Sequence, residues 1–338
     1  MIDKTEEKIL SMLLQEARTS LTKIAKECNI SVPSINSRIK NLKKKGIING
    51  TIMQINPKRL GFNCCGILQI SNNQEKKEIV KKHLTEKKFV FYENKHISKS
   101  LLGVFFSLPN IDGLARLIEQ IKSHPDITDV NPIIWNDINQ IDFPENLIFS
   151  TQIVLNKKVV KKDQTKLENK RDEMLNFTKE KQPYVFNKID LTITKILVEK
   201  ARTPFSKIAK QIGISPNNVI SRYKNLRKEN VISNSSITIN LKKLGYKAIV
   251  ILFLKASATS NASLLYKQFI HKSNVIVAIR LIGPFDVMIN IPVISFSELF
   301  ELQEKMQQID GIENILIEIH APFEKWPLNV FAPLLKNY

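Results

Sequence analysis

Cysteines are scarce in this chain of 338 residues, which contains only three. Cys64 and Cys65 are adjacent, and the third, Cys28, lies far from them in sequence. A vicinal pair cannot connect distant segments, so the sequence argues against a disulfide-stabilised fold and indicates a reducing compartment. We interpret Cys64 and Cys65 as small buried apolar residues rather than as a redox sensor.

Long apolar runs are also missing. The N-terminus, Met1-Ile2-Asp3-Lys4, precedes no apolar signal core, and no run approaches the roughly 18 apolar residues that span a membrane. With 43% hydrophobic and 25% charged residues, the chain can nevertheless bury cores of ordinary size. We therefore expect a cytoplasmic protein without a membrane partner.

Motifs of common enzymes do not occur either. The sequence has no phosphate-binding glycine loop, HExxH pair, CxxC pair or serine-nucleophile elbow. Its five histidines are scattered, as surface or strand residues usually are: His83, His96, His124, His271 and His320. We accordingly expect no catalytic residue, no metal site and no cofactor.

Basic residues, in contrast, are abundant and unevenly distributed. The 51 lysines and arginines exceed the 32 acidic residues, which gives a net charge of +19. Residues 1–62 carry +7 and residues 188–246 carry +9, whereas residues 63–150 and 247–338 are close to neutral. Basic charge concentrated in short segments is the electrostatic pattern of polyanion-binding modules joined to neutral domains.

The two basic segments are copies of one another. Residues 17–42 and 201–226 align without gaps and are identical at 14 of 26 positions. Upstream, IDKTEEKIL matches IDLTITKIL, and a Leu-Gly dipeptide follows each copy at the same spacing. A repeat of about 150 residues is too long for a solenoid, so we predict a duplicated two-domain protein.

Polar residues and prolines predict where the helices of each copy begin. Thr19 and its equivalent Thr203 are predicted N-caps of a second helix, with Pro204 at the first helical position. Ser31 and Ser215 are the predicted N-caps of a third helix. Each copy therefore contains three helices in its basic segment.

Glycine and asparagine mark where these helices end. The second helix ends at Asn29 in one copy and at Gly213 in the other, and the third ends at Gly46 and at Asn230. Both residue types readily adopt the left-handed conformation, so their exchange indicates a shared backbone. We interpret the β-prone stretches that follow as wings.

The third helix has the composition of a DNA-recognition helix. Two helices joined by a tight turn, the second rich in Ser, Asn, Arg and Lys, place that second helix in the major groove. These side chains can bind bases or phosphates. The predicted DNA contacts are Ser34, Asn36, Ser37, Arg38 and Lys40, with Asn218, Ser221, Arg222 and Lys224 in the second copy.

The neutral segments alternate strand, helix, strand, strand, helix, strand. This βαββαβ order is typical of a ferredoxin-like domain, which commonly mediates dimerisation through the uncovered face of its sheet. The predicted fold class is α+β, with two winged helix-turn-helix modules alternating with two ferredoxin-like domains. The predicted ranges are 1–62 and 188–246 for the modules, 63–150 and 247–338 for the ferredoxin-like domains, and 151–187 for a charged linker.

Several motifs, each with an equivalent in the second copy, carry a family resemblance: IDKTEEKIL, KIAKECNIS, SRIKNLKKKGII and Lys58-Arg59-Leu60-Gly61. Through them the chain resembles the Lrp/AsnC family of feast/famine regulators over nearly its full length. The resemblance implies a transcriptional regulator that binds double-stranded DNA. It also implies that the ferredoxin-like domains sense small effectors, pair within or between chains, and form homo-oligomers.

Two features depart from the usual pattern of that family. The chain contains two complete units, and only the second ferredoxin-like domain has the Gly-x-x-Asp turn, from Gly283 to Asp286. The corresponding residues of the first, from Ser98 to Leu101, read SKSL. The resemblance therefore implies that an amino-acid effector binds at Gly283 and Asp286. Capping of the turn through backbone N–H groups is the alternative role for Asp286.

Two other functions remain open. Siroheme decarboxylases resemble the same family and use histidine and arginine near the corresponding strands. Here residues 90–106 offer only His96 and no arginine. A DNA-architectural protein is the second alternative, because relatives in this family oligomerise along DNA.

Overall fold

A computed structural model describes residues 2–85, 90–94, 101–136, 142, 147, 182–270, 274–307 and 309–338. Residues 151–181 of the predicted linker lie outside these ranges, as do His96, Ser98 and His271. The predicted limits of the linker and of the domains stay predictions. Within the described ranges, none of the helices is long and apolar enough to span a bilayer.

The first copy begins with a helix-turn-helix module made of α1 (Lys4–Gln15), α2 (Leu21–Cys28), α3 (Val32–Lys44) and β1 (Ile48–Ile55). Asp3 starts α1 with a capping box, because its carboxylate accepts a hydrogen bond from Glu6 N and the Glu6 carboxylate accepts one from Asp3 N. The buried residues of α1 recur at helical spacing and face the core: Ile9, Leu10, Leu13 and Leu14.

A ferredoxin-like domain follows, composed of β2 (Cys64–Asn72), α4 (Lys77–Thr85), β3 (Val90–Asn94), β4 (Leu101–Leu108), α5 (Asp112–Lys122) and β5 (Ile127–Trp135). Its antiparallel strands lie in the order β5-β2-β4-β3. Alternate strand residues face the helices, so Leu68 and Ile70 of β2 share a core with Leu117 and Ile121 of α5.

The second copy repeats this plan in its own ten elements. Its helix-turn-helix module contains α6 (Lys188–Glu199), α7 (Phe205–Ile212), α8 (Pro216–Lys228) and β6 (Ile232–Ile239). Its ferredoxin-like domain contains β7 (Ala248–Ala256), α9 (Ala262–Ile270), β8 (Val277–Ile282), β9 (Val287–Val293), α10 (Phe296–Gln307) and β10 (Ile312–His320). The α+β fold class and the tandem repeat predicted from the sequence are confirmed.

The exchange of asparagine and glycine at the helix ends has the predicted cause. Asn29 and Gly213, after the second helix, have φ of 54° and 72°. Gly46 and Asn230, after the third helix, have φ of 71° and 53°. All four residues have the left-handed backbone conformation, which glycine and asparagine adopt at low energetic cost.

The predicted start of the second helix is wrong by one residue. Ser20, not Thr19, is the N-cap of α2, and its Oγ accepts a hydrogen bond from Lys23 N at 3.2 Å. In the second copy Pro204 occupies the N-cap position itself and caps nothing. The hydroxyls of Thr19 and Thr203 instead donate hydrogen bonds of 2.8 Å to main-chain carbonyl oxygens three residues earlier in the chain, those of Glu16 and Lys200. The two threonines therefore bind the C-terminal end of the preceding helix, whereas the sequence analysis predicted them as N-caps of the following helix.

The stretches interpreted as wings, β1 and β6, pair with each other. Their antiparallel register places Ile48 opposite Ile239 and Ile55 opposite Ile232. Helix α1 packs against β6, and α6 packs against β1. Each module has thus contributed its strand to the other, and the two modules form one intramolecular unit.

The two ferredoxin-like sheets join edge to edge into one antiparallel sheet of eight strands, in the order β10-β7-β9-β8-β5-β2-β4-β3. At the junction Trp135 of β5 lies opposite Leu281 of β8. The two halves of this eight-stranded sheet also face each other. Gln69 Nε2 on β2 shows this contact, because it donates a hydrogen bond to Glu318 Oε1 on β10 at 3.4 Å. The predicted pairing of the ferredoxin-like domains therefore occurs within one chain.

Candidate nucleic-acid interface

Helix α3 presents a polar face to solvent, opposite the face that packs in the core. Ile35 and Leu42 are fully buried and fix the orientation of the helix. On the opposite side, the predicted contacts other than arginine are exposed or half-buried: Asn36, Ser37 and Lys40 are exposed and Ser34 is half-buried. The structure thus places these four side chains where a major groove could receive them.

Helix α8 repeats this arrangement with different side chains. Ser215 begins the helix, as predicted, and its Oγ accepts a hydrogen bond from Asn218 N at 3.2 Å. Val219 and Leu226 are fully buried. The predicted contacts Asn218, Ser221 and Lys224 are exposed. The two recognition helices therefore offer similar groups in different order.

The two arginines predicted to contact DNA are held within their own modules. Arg222 Nη1 donates to Asp190 Oδ1 at 2.8 Å, and Asp190 is only 4% exposed. Arg38 Nη1 donates to the carboxylate of Asp3. The hydrogen bond from the backbone N–H of Glu6, together with this bond from Arg38, lowers the pKa of the Asp3 carboxyl. Asp3 and Asp190 are equivalent in the repeat, so both arginines anchor the recognition helix to the first helix of the module. Their contact with DNA stays a prediction.

The anchor in the second module also orients a predicted contact. Asp190 accepts further hydrogen bonds from Tyr184 Oη at 2.9 Å and Asn187 Nδ2 at 2.8 Å. Arg222 Nε donates to Asn218 Oδ1 at 2.8 Å. The amide of Asn218 is thereby connected to a buried carboxylate, which restricts the directions it can take toward a base.

The sequence analysis did not include the exposed residues in the last turns of the two recognition helices. Asn41 and Lys44 of α3 are exposed, and so are their equivalents Asn225 and Lys228 of α8. Asn41 follows Ser37 by four residues, and Lys44 follows Lys40 by four, so all lie on one side of the helix. Extending the predicted polar face by one helical turn would have identified these residues from the sequence.

The predicted effector turn has an internal role in the structure. Gly283 has φ of 144°, which favours glycine. Asp286 Oδ2 accepts a hydrogen bond from Ala256 N at 2.8 Å and lies 3.3 Å from Lys255 Nζ. The alternative role of Asp286, binding a backbone N–H, is therefore present, although the N–H belongs to β7 rather than to the turn. Effector binding at Gly283 and Asp286 stays a prediction.

The vicinal cysteines are buried and free, and Cys65 is fully enclosed. Ser107 Oγ donates to Cys65 Sγ at 3.1 Å, and burial raises the pKa of Cys65 to about 12. A thiol with so high a pKa forms little reactive thiolate, which supports the apolar interpretation. Among the described residues, no three His, Cys, Asp or Glu side chains are grouped as metal ligands.

Two modules with exposed polar recognition helices, joined to two ferredoxin-like domains, define a helix-turn-helix protein of the DNA-binding class. The family model described as "Winged helix-turn-helix DNA-binding" matches residues 2–49. The model of the AsnC-type helix-turn-helix domain matches residues 186–227. The two matches fall on the two copies of the repeat.

Known regulators resemble this chain over one repeat unit. The HTH-type transcriptional regulator LrpA of Pyrococcus abyssi is 33% identical over 142 residues, which are 42% of this chain and 89% of the relative. LrpA of Pyrococcus horikoshii is 41% identical over 90 residues, 27% of this chain and 64% of the relative. The regulatory protein AsnC of Haemophilus influenzae is 26% identical over 137 residues, 40% of this chain and 91% of the relative. The chain belongs to the Lrp/AsnC family.

A solved structure resembles the whole chain. The siroheme decarboxylase NirDL in complex with an iron-uroporphyrin III analogue matches with a TM-score of 0.57 and 12% sequence identity, covering 99% of this chain and 97% of that chain. At this identity the likeness concerns the fold of the whole chain and not its chemistry.

Proposed function

We propose that this chain is a transcriptional regulator that binds double-stranded DNA with both helix-turn-helix modules of one pseudo-symmetric unit. The observation that carries the proposal is the pair of exposed polar faces on α3 and α8, held in one body by the β1–β6 ladder. Lysines on these faces neutralise phosphates, and serine and asparagine bind bases or backbone. The net charges of +7 and +9 on the segments that contain the modules supply the sequence-independent attraction.

The proposed binding site on DNA is asymmetric. A homodimer reads a palindrome because its two recognition helices are identical. Here Asn36 is replaced by Ile220 at the equivalent position of α8, and Ser34 is replaced by Asn218. An amide and an aliphatic side chain prefer different base edges, so the two half-sites differ in sequence.

Selection from a randomised duplex library, followed by affinity measurements at several salt concentrations, tests this function. We expect a discrete asymmetric sequence, with the logarithm of affinity falling against the logarithm of salt concentration by about 0.9 per phosphate contacted. Failure to enrich any sequence, or binding that ignores salt, contradicts the proposal. Footprints that cover DNA evenly would favour the architectural alternative.

The same proposal includes the location, the assembly and the effector of the regulator. It works in the cytoplasm, assembles further through its ferredoxin-like domains, and responds to an amino acid at the turn that contains Gly283 and Asp286. The left-handed φ of Gly283 supports close approach of a ligand to the backbone. The Asp286 carboxylate can accept a ligand ammonium group in place of Lys255.

A siroheme-decarboxylase-like enzyme is the second candidate, because the NirDL likeness covers the whole chain. The described residues that line the cavity between the two ferredoxin-like sheets include Asp142 and Glu318 but no lysine, arginine or histidine. A tetrapyrrole that carries carboxylates would find no cationic side chain among these described lining residues. Mixing the purified chain with iron-uroporphyrin III tests this candidate, since a shifted Soret absorbance band would favour it.

A further inference from the structure

A cavity lies between the two halves of the eight-stranded sheet. A lining of mostly apolar and aromatic side chains with a few polar groups is typical of small-molecule sites. Strands of both ferredoxin-like domains line it, together with the C-terminal segment 323–330. The cavity is therefore formed only when the two sheets face each other, and neither Gly283 nor Asp286 is among its lining residues.

Three buried polar atoms of the lining have no hydrogen-bond partner in the described part of the chain. Trp135 and Trp326 are 4% and 1% exposed, and neither Nε1–H has an acceptor. Asn290 is 7% exposed, and its Oδ1 has no donor. Buried indole N–H groups and amide oxygens nearly always have partners. The three atoms therefore call for a ligand that supplies acceptors to the indoles and a donor to the amide.

The rest of the lining selects the shape and charge of that ligand. Phe105 packs against Trp135 with ring centroids 5.5 Å apart, and Phe253 lines the opposite half. Aromatic walls favour a flat apolar body. Asp142 and Glu318 supply acidic groups, and the described lining has no cationic side chain. A neutral ligand with N–H groups fits this lining, whereas a carboxylate does not.

The cavity is also connected to the ladder between the two helix-turn-helix modules. Trp326 and Ile239 of β6 exchange two main-chain hydrogen bonds, each of 2.9 Å. The carboxylate of Asp142 accepts a hydrogen bond from the side chain of Gln54 on β1. A molecule that contacts Trp326 and Asp142 therefore touches residues bonded to both strands of the ladder.

We propose that this cavity binds a neutral, planar nitrogen heterocycle of one or two rings, and that its occupancy is coupled through β1 and β6 to the placement of α3 and α8. The coupling rests on the proposed DNA binding, whereas the binding of the heterocycle does not. The carboxylate of an α-amino acid would find no cationic side chain among the described lining residues, so this site favours the neutral heterocycle over an α-amino acid.

Benzimidazole is a suitable probe, because its two-ring plane carries one acceptor nitrogen and one N–H donor. Trp135 and Trp326 are the only tryptophans of the chain, so their fluorescence reports on the cavity directly. We expect a saturable change of emission when benzimidazole is added to the full chain. Binding should be at least fivefold weaker for 1-methylbenzimidazole, which lacks the donor, and undetectable for benzoate. Equal binding of all three compounds, or no saturable change, overturns the proposal.

Substitutions in the lining locate the binding site. Trp135→Phe and Trp326→Phe each keep a ring, remove one N–H donor and leave one reporter, and each should weaken benzimidazole binding at least fivefold. Met288→Phe places a larger side chain in another part of the lining and should abolish binding by filling the cavity. This variant therefore tests the site even if a tryptophan variant fails to fold. Tyr266→Phe, on α9 in the core that covers the other side of the same sheet, is the control and should leave affinity unchanged. Thermal unfolding checks each fold, and undiminished binding in the folded variants overturns the proposal.

The coupling has its own measurement. Saturating benzimidazole should change the affinity for the selected DNA at least threefold. Binding of benzimidazole without such a change overturns the coupling. If the chain binds no duplex at all, the proposed function fails, while the fluorescence titration still decides whether the cavity is a binding site.

Discussion

Arg18 and Arg202 occupy equivalent positions of the two repeats, and each donates hydrogen bonds to the residues that flank the other. Arg18 Nη1 donates to the carbonyl oxygens of residues 201 and 203, and Arg202 Nη1 donates to those of residues 17 and 19. The contact is reciprocal, as an approximate twofold axis between the modules requires. Arg18 also lies over the ring of Phe205 at 3.9 Å. The relative position of the two recognition helices thus depends on this pair as well as on the β1–β6 ladder.

The double substitution Arg18→Ala and Arg202→Ala should therefore loosen the union of the modules. The double substitution removes four hydrogen bonds from charged donors, each worth up to about 1.5 to 3 kcal/mol before solvent screening of these half-buried side chains is taken into account. We therefore expect the free energy of unfolding to fall by at least about 3 kcal/mol. Urea denaturation measures this change. Arg116→Ala, at an exposed position of α5, is the matched control and should change stability by less than about 0.5 kcal/mol. A double variant as stable as this control would contradict the prediction.

The two anchoring arginines should differ in their effect on stability. Arg222→Ala leaves the buried Asp190 without its cation, and breaking such a pair costs about 3 kcal/mol. Arg38→Ala removes a partner from Asp3, whose side chain is 52% exposed, so the loss should stay below about 1 kcal/mol. Thermal or urea unfolding of both variants tests the difference. Equal losses would show that burial of the carboxylate does not determine the cost.

Charge reversal on the recognition helices should weaken DNA binding without unfolding the protein. Lys40→Glu and Lys224→Glu each replace an exposed cation with an anion. Each should reduce the salt dependence by about one phosphate contact and weaken affinity at least tenfold at low salt. Fluorescence anisotropy with the selected duplex measures both effects. The control Lys267→Glu, exposed on α9, should bind as the unaltered chain does, and an equal loss there would point to nonspecific attraction alone.

Asp142 should make stability depend on pH. Burial raises its pKa from 3.8 to about 7. Between these values the folded chain retains a proton that the unfolded chain has released, so the free energy of unfolding falls as pH rises from about 4 to 7. Asp142→Asn removes this titration and should be more stable than the unaltered chain by up to about 4 kcal/mol at pH 8.

Urea denaturation of this variant from pH 4 to pH 8 measures the slope. Gln54 and Glu318, which lie beside the same cavity, stay unchanged in the variant. Asp129→Asn is the control, because Lys122 lowers the pKa of the Asp129 carboxyl and its titration lies below this window. An unaltered slope in the Asp142 variant would refute the assignment.

Asp286→Ala should separate the structural role of the turn from effector binding. The substitution removes the acceptor of Ala256 N–H, so stability should fall by about 1 to 2 kcal/mol. Calorimetric titration of the full chain with the twenty amino acids should show a binding amino acid for the unaltered chain and none for the variant. A loss of stability with unchanged amino-acid binding would leave Asp286 with its structural role alone.

Local features of this molecule could be predicted from the sequence because they depend on neighbouring residues. The N-caps Ser31 and Ser215 are such features, and so is the left-handed exchange of Asn29 for Gly213, since a cap or a turn is decided within a few residues. The duplication and the segregation of basic charge are also written in the sequence, and with the βαββαβ alternation they determine the fold class and the family.

The tertiary structure decided the features that join the two copies. A strand offers hydrogen-bonding groups on both edges, and nothing within β1 or β6 specifies that their partner is the other repeat rather than a local hairpin. The same holds for Arg222, which could bind DNA or a carboxylate until the position of Asp190 was known. The cavity has residues from both sheets and from the C-terminal segment, and it exists only because the halves of the sheet face each other. Such long-range contacts depend on packing between distant segments, which a local sequence pattern does not encode.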